Sequence, residues 1–141
     1  MAREVFLDSS ALYALADHRD PARAPAERCA RELAEAGVNL ILTDYIIDEA
    51  ATLAKARAGG NASLQLLDIV EQSAGLRLEW IGPDRFAAAK TFFRKHADHG
   101  YSFTDCTSFV VMRELKITEA LTTDRHFAEA GFRLLLPLNR S

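Results

Sequence analysis

Apolar and polar positions along the chain follow two alternating periodicities, which predict short strands separated by amphipathic helices. Compact apolar runs predict strands at 5–7, 38–43, 76–81, 120–123 and 132–136. Stretches with helical spacing follow them at about 9–16, 25–36, 45–58, 61–72, 82–96 and 102–115, with a short helical turn before Gly131. Because strands and helices alternate, we predict a three-layer α/β/α domain with a mainly parallel central sheet.

The first strand ends at the first candidate functional residue. Residues 5–7, Val-Phe-Leu, form an apolar run suited to a strand that is buried on both faces. Asp8 ends this run, and Ser9 or Ser10 is expected to cap the helix that follows. Ligands of open α/β sheets bind at the carboxyl ends of the strands, where Asp8 would lie. Taken alone, the position fits a turn or capping residue better than a site.

The predicted helix at 45–58 contains an acid on its buried face. Ile46 and Ala50 belong to the apolar stripe, and at 3.6 residues per turn Glu49 falls inside it. Asp48 points to the opposite, solvent side. An ionised glutamate on a buried face is costly unless it is paired, so either a salt bridge or a bound metal ion would explain it.

Two more acids are expected to point inward near the ends of elements. Ser102 and Asp105 have the spacing of a capping box, which is a sufficient structural reason for both. Asp105 also heads an apolar stripe that Phe109 continues, so a role in a site is compatible with capping. Asp124 directly follows the predicted strand 120–123 and therefore repeats the position of Asp8.

Length, composition and net charge limit which classes of protein the chain can belong to. The 141 residues suffice for one domain with a proper core, and 49% apolar with 26% charged residues is typical of a globular protein. The net charge of −3 means that nucleic-acid binding would need a local basic patch or metal ions. Cys29 and Cys106 suggest neither a disulfide scaffold nor a zinc module. No run is suited to a secretory leader or a membrane span, so we expect a cytoplasmic location.

Setting aside the solvent-facing acids leaves four candidates for one site, Asp8, Glu49, Asp105 and Asp124. In a parallel sheet, the strand-end acids and the starts of the following helices share one edge. Clustered carboxylates stay ionised only with cations, and all-oxygen ligands favour Mg²⁺ or Mn²⁺ over zinc. Such an ion polarises a phosphodiester and lowers the pKa of an attacking water, so the chemistry needs no histidine or cysteine nucleophile.

Four short motifs surround these acids. In chain order they are Phe6-Leu-Asp8-Ser-Ser-Ala-Leu12, Glu49-Ala-Ala-Thr-Leu53, Ser102-Phe-Thr-Asp105-Cys106 and Leu121-Thr-Thr-Asp124-Arg-His-Phe127. The ordered set resembles the PIN domain, and most closely its VapC-type toxin branch. The resemblance spans nearly the whole chain and implies a single PIN-like domain over residues 1–141.

The resemblance also implies an activity and partners. It implies a Mg²⁺- or Mn²⁺-dependent endoribonuclease, the toxin of a type II toxin–antitoxin system, which acts as a homodimer and is blocked by a cognate antitoxin protein. Carried over by position, the metal-binding and catalytic residues would be Asp8, Glu49, Asp105 and Asp124.

Neighbouring polar residues are weaker candidates. The hydroxyl groups of Ser10, Thr104 and Thr123 are placed to hold a carboxylate or a metal-bound water, although capping explains them equally well. Candidate RNA contacts around the acidic centre are the basic residues Arg94, Lys95 and Arg125.

Two other functions compete with the nuclease interpretation. A phosphatase of the haloacid dehalogenase type also begins with a strand-end aspartate, but its second aspartate would fall at Ser10, which disfavours it. A non-catalytic module, either a receiver-like Mg²⁺ binder or an inactive PIN-like domain for RNA binding or assembly, is the other alternative. The presence of all four acids argues against an inactive PIN-like domain.

Overall fold

Five short strands form the central sheet of the protein, for which a computed structural model describes residues 2–138. They are β1 (Glu4–Leu7), β2 (Asn39–Thr43), β3 (Leu76–Glu79), β4 (Glu119–Leu121) and β5 (Arg133–Leu134). Their order across the sheet is β3-β2-β1-β4-β5, so β1 lies in the middle. All the pairings among the described residues are parallel, which confirms the predicted sheet.

Seven helices flank this sheet within residues 2–138, and the α/β/α prediction is confirmed. They are α1 (Ser9–Ala16), α2 (Arg23–Glu35), α3 (Asp44–Ala58), α4 (Gly60–Gln72), α5 (Gly82–Lys95), α6 (Phe103–Glu114) and α7 (Arg125–Glu129). Gly59 alone separates α3 from α4, and its φ of +96° is a conformation that glycine adopts readily. In the described part of the chain, no helix combines the length and the apolar character that a membrane crossing requires.

The core is built around β1. Val5, Phe6 and Leu7 are all 0% exposed, as expected for a strand covered on both faces. The Phe127 ring lies 6.2 Å from Phe6 and 5.0 Å from Phe109, so α6 and α7 are joined to the central strand through aromatic contacts. This packing holds the carboxyl end of β1, and therefore the residues just beyond it, in a fixed position.

The strand predicted at 120–123 ends two residues early. β4 stops at Leu121, and the next backbone N–H groups bond to side chains instead of to a neighbouring strand. Thr123 donates its N–H to Ser10 Oγ at 3.1 Å, and Asp124 donates its N–H to Thr122 Oγ1 at 3.0 Å. The chain leaves the sheet here because polar side chains replace the strand partner.

The prediction that Ser9 or Ser10 caps α1 is wrong. Asp8 occupies the N-cap position, with φ −84° and ψ 161°, and no side-chain capping bond is made there. Both serines lie in the first turn of the helix, and their hydroxyl groups donate to carboxylates rather than accepting from the helix backbone. Their tertiary partners outweigh the local capping preference.

Candidate functional site

The site lies where the carboxyl ends of β1 and β4 meet. The two strands pair directly, with Leu7 opposite Leu121, so the residues after each strand are neighbours. Asp8 donates its backbone N–H to the Leu121 carbonyl at 3.2 Å, which extends the contact one residue beyond the strand. Asp8 and Asp124, separated by more than a hundred residues in sequence, are thereby brought to the same edge.

Hydroxyl groups hold the Asp8 carboxylate. Asp8 Oδ2 accepts from Thr122 Oγ1 at 2.7 Å and from Ser10 Oγ at 3.0 Å. Thr122 is 0% exposed, and its Oγ1 also accepts the N–H of Asp124, so a single side chain connects two of the acids. Thr122 is not among the residues predicted from sequence, where the hydroxyl of Thr123, which directly precedes Asp124, is the candidate.

The other two predicted hydroxyl residues have different contacts from those expected. Thr123 contributes its backbone N–H to Ser10, and Thr104 contributes its carbonyl, which accepts from Thr107 Oγ1 at 2.6 Å. Within residues 2–138, neither threonine hydroxyl bonds to a carboxylate. Ser10 alone of the predicted set, Ser10, Thr104 and Thr123, therefore touches an acid with its side chain.

Glu49 reaches the site from the second turn of α3. Thr43 caps this helix by accepting the N–H of Ile46 on its Oγ1 at 3.1 Å, which fixes where the helix begins. Asp48 is exposed, whereas Glu49 is half-buried on the inner side, as the helical periodicity predicted. Glu49 Oε1 accepts a hydrogen bond from Ser9 Oγ, so α1 and α3 are connected at this edge of the sheet.

Asp105 is held in place by the capping box of α6. Its Oδ2 accepts the N–H of Ser102 at 3.0 Å, and Ser102 Oγ accepts the N–H of Asp105 at 3.0 Å, as predicted. The side chain is nevertheless buried and directed toward the other acids. Capping thus orients Asp105 through one carboxylate oxygen, while Oδ1 makes no hydrogen bond within residues 2–138.

His126 is a member of the cluster that sequence reasoning missed. Its Nδ1 lies 3.2 Å from Asp124 Oδ1 and 3.5 Å from Asp105 Oδ2. Asp124 caps α7 by accepting the backbone N–H of His126 at 2.9 Å, so the turn itself directs the ring toward the acids. One ligand atom from each of these three residues lies within 4.8 Å of the others. The only sequence signal was the position two residues after Asp124.

Burial and mutual repulsion disfavour the charged forms of two of these acids. Burial, with smaller contributions from the Asp105 and Asp124 charges, raises the pKa of Asp8 to about 7 even though the Thr122 hydrogen bond opposes the shift. Burial likewise raises the pKa of Asp105 to about 6; Asp124 and Glu49 add to this rise, and the Ser102 N–H and His126 oppose it. The four acids therefore act on one another electrostatically as a single cluster.

The cluster fits a hard divalent cation. Within residues 2–138, no lysine or arginine forms a salt bridge to Asp8, Glu49, Asp105 or Asp124, and His126 is the only basic side chain against them. Carboxylate oxygens are the ligands that Mg²⁺ and Mn²⁺ prefer, and a bound cation would relieve the repulsion between these acids. The donor set is thus suited to such an ion.

The predicted RNA-contacting residues Arg94, Lys95 and Arg125 are all on the surface, and a cavity opens next to two residues that neighbour the acids. Arg125 follows Asp124 directly, and its side chain is 76% exposed. Arg94 and Lys95 are exposed at the end of α5, which is joined by a short loop to the start of α6. A cavity of about 620 Å³ opens beside Ser10 and Thr123 and extends to Arg57. Of the three basic residues, Arg125 is next to a cluster acid in the chain, and the cavity borders Ser10, which holds Asp8.

Comparison with protein families and with curated proteins identifies relatives. The profile of the PIN domain matches residues 5–133. The 23S rRNA-specific endonuclease VapC20 of Mycobacterium tuberculosis (strain H37Rv) is 30% identical over 128 residues, which cover 91% of this chain and 95% of that protein. This chain is therefore a homologue of a VapC-type endonuclease over almost its whole length.

Comparison with solved structures gives the same relationship. The crystal structure of Mycobacterium tuberculosis VapC20, described as a Sarcin-Ricin loop cleaving toxin, matches with a TM-score of 0.83 and 29% identity over 94% of this chain and 99% of that one. FitAcB from Neisseria gonorrhoeae matches with a TM-score of 0.61 and 16% identity, covering 96% of each chain. At that identity the second likeness concerns the fold alone.

Proposed function

This chain belongs to the PIN domain family, and we propose that it is a metal-dependent endoribonuclease, the toxin of a toxin–antitoxin pair, that hydrolyses RNA phosphodiester bonds. The observation that carries the proposal is the meeting of distant acids at one sheet edge, without a lysine or arginine partner among residues 2–138. Acids arranged in this way are costly to the fold unless a cation binds them. The arrangement is therefore better explained by function than by stability.

The residues proposed to bind the metal ion are Asp8, Glu49, Asp105 and Asp124. Bound there, Mg²⁺ or Mn²⁺ supplies polarisation of the phosphodiester and acidification of an attacking water. The polypeptide positions the acids: Thr122 and Ser10 hold Asp8, Ser9 holds Glu49, and the capping box holds Asp105. Hydrogen bonds of this kind fix the orientation of ligands before the metal binds.

The proposed substrate is RNA in the cytoplasm. Arg125 lies beside Asp124 and is well placed to contact a phosphate next to the scissile one, and Arg94 and Lys95 would extend that contact along the backbone. The chain's net charge of −3 makes these local contacts, together with the metal ion, the main source of RNA affinity. Since the relative VapC20 is specific for 23S rRNA, ribosomal RNA is the first substrate to test.

The proposed protein partners are a second copy of this chain and an antitoxin that covers the acidic site. Phe86 and Phe93 are 38% and 41% exposed, and their rings lie 5.3 and 5.7 Å from that of Phe103. Trp80 is 67% exposed. Exposed aromatic groups of this kind are enriched in the buried parts of interfaces. We assign them to the homodimer, and sizing with light scattering would measure its mass.

A cleavage assay with mapped ends tests the proposed activity. Purified protein is incubated with total RNA that includes ribosomal RNA, with Mg²⁺ or Mn²⁺ and with a chelator, and the new ends are sequenced. We expect discrete cleavage that the chelator abolishes. Asp105→Asn should lower the rate at least about 100-fold while leaving the fold intact, since the acid binds the metal and the amide still caps α6.

Asp48→Asn is the matched control for this assay. Asp48 is an exposed acid next to Glu49, so its substitution removes the same charge without touching the site. Full activity in purified Asp105→Asn protein would exclude the proposed role of the cluster. Metal-dependent RNA binding without cleavage by the wild type would favour the non-catalytic module instead.

A further inference from the structure

The His126 ring is confined by its neighbours. Its side chain is 24% exposed, and the Tyr101 ring meets the imidazole edge-to-face with ring centres 5.7 Å apart. Gly100 lies against the opposite nitrogen: a Cβ on Gly100 would come within 3.1 Å of Nε2. The absence of a side chain at position 100 therefore leaves room for the ring, with Nε2 toward Gly100 and Nδ1 toward the acids.

The spacing around Nδ1 matches that of neighbouring ligands on one ion. Metal–ligand bonds of about 2.1 Å in an octahedral site put adjacent donor atoms roughly 3 Å apart and opposite ones about 4.2 Å apart. His126 Nδ1 is 3.2 Å from Asp124 Oδ1 and 3.5 Å from Asp105 Oδ2. One ligand atom from each of the three residues also lies within 4.8 Å of the other two. These separations are compatible with binding to one shared ion.

We propose that His126 Nδ1 is a direct metal ligand together with Asp105 and Asp124, and that this nitrogen biases the site toward Mn²⁺ over Mg²⁺. Mg²⁺ binds oxygen ligands almost exclusively, whereas imidazole nitrogen is a good ligand for transition metals. The inference rests on the proposed function, because it assigns a further ligand to the same metal centre. It differs from the four-carboxylate site in the identity of the donor atoms and in the metal preference.

Pulsed electron paramagnetic resonance of bound Mn²⁺ tests the inference directly, because it detects a coordinated imidazole nitrogen. The wild-type protein should show nitrogen coupling, and His126→Asn should lose it. Calorimetric titration with Mn²⁺ and with Mg²⁺ should show the ratio of the two affinities falling about 10-fold in His126→Asn, since an amide oxygen replaces the nitrogen. His18→Asn, at an exposed histidine in the turn after α1, should change neither measurement.

A second variant tests the packing that directs the ring. Gly100→Ala would place a methyl group against Nε2, so the nitrogen coupling should weaken although His126 is still present. Circular dichroism and thermal melting establish that each variant is folded before its metal binding is compared.

The outcomes separate this inference from the proposed function. If wild-type protein binds Mn²⁺ without nitrogen coupling, and His126→Asn keeps the wild-type ratio of affinities, then His126 is not a ligand and the four-carboxylate site stands. If the wild type binds neither Mn²⁺ nor Mg²⁺, the metal-dependent function itself fails.

Discussion

Replacing Asp8 with asparagine should stabilise the metal-free protein at neutral and alkaline pH. Asp8 is 3% exposed, and burial raises its pKa from 3.8 to about 7. Because the folded state holds the proton more tightly than the unfolded state, the carboxyl costs no stability below pH 3.8, and the cost grows as the pH rises to about 7. Above that pH the cost is constant, at about 4 kcal/mol.

Asparagine removes this cost and keeps most of the local contacts. Its amide oxygen can accept from Thr122 and Ser10, as Asp8 Oδ2 does. The substitution also removes the repulsion between the Asp8 carboxylate and the charges of Asp105 and Asp124. We therefore expect Asp8→Asn to raise the free energy of unfolding at pH 8 by up to about 4 kcal/mol, on the order of 10 °C in melting temperature.

The assay is thermal and urea unfolding with a chelator present, at a series of pH values from 4 to 9. The stability difference between Asp8→Asn and wild type should be small at pH 4 and grow until about pH 7. Excess Mn²⁺ should reverse the order, because it binds the wild-type folded state more tightly and stabilises it by mass action. Asp48→Asn, at an exposed acid outside the cluster, is the matched control.

One result would refute the reasoning. If Asp8→Asn is less stable than wild type by several kcal/mol at pH 8 with a chelator present, then the Asp8 carboxylate stabilises the metal-free fold instead of lowering its stability. A stability difference that does not vary with pH would equally contradict a raised pKa for Asp8.

Three further predictions follow from the contacts of the site. Thr122→Val should lower the free energy of unfolding by about 1–3 kcal/mol and the cleavage rate about 10–100-fold, because it removes the hydroxyl that connects Asp8 and Asp124. The control is Thr52→Val, at an exposed threonine, and an unchanged cleavage rate in Thr122→Val would contradict a positioning role for Thr122. The cleavage rate at limiting Mg²⁺ should fall as the pH drops below about 7, since protons compete with the ion at Asp8. In profiles of rate against pH, the midpoint of this fall should move to lower pH as the Mg²⁺ concentration is raised. Arg125→Ala should weaken RNA binding and reduce the slope of log affinity against log salt concentration by the amount expected for about one phosphate contact. Fluorescence anisotropy measures both, with Arg31→Ala as the control, and an unchanged salt slope would show that Arg125 does not contact RNA phosphate.

Much of the fold was predictable because local spacing encodes it. Apolar runs marked the strands, and helical periodicity distinguished half-buried Glu49 from exposed Asp48. The Ser102 and Asp105 capping box was also predicted, since both partners lie within one helical turn. These features depend on neighbours in sequence, so the sequence by itself determined them.

The details of the site depend on contacts between distant residues, and only the tertiary structure decided them. Thr122 bonds to Asp8 because β1 and β4 are adjacent in the sheet, an order that no local pattern specifies. The same pairing brings the Thr123 N–H to Ser10, and the docking of α3 beside α1 gives Ser9 a partner in Glu49 instead of the expected capping role. His126 meets Asp105 because α6 and α7 pack against each other, in part through Phe109 and Phe127. Periodicity tells which way a side chain points from its own element, whereas strand order and helix docking decide what it meets there.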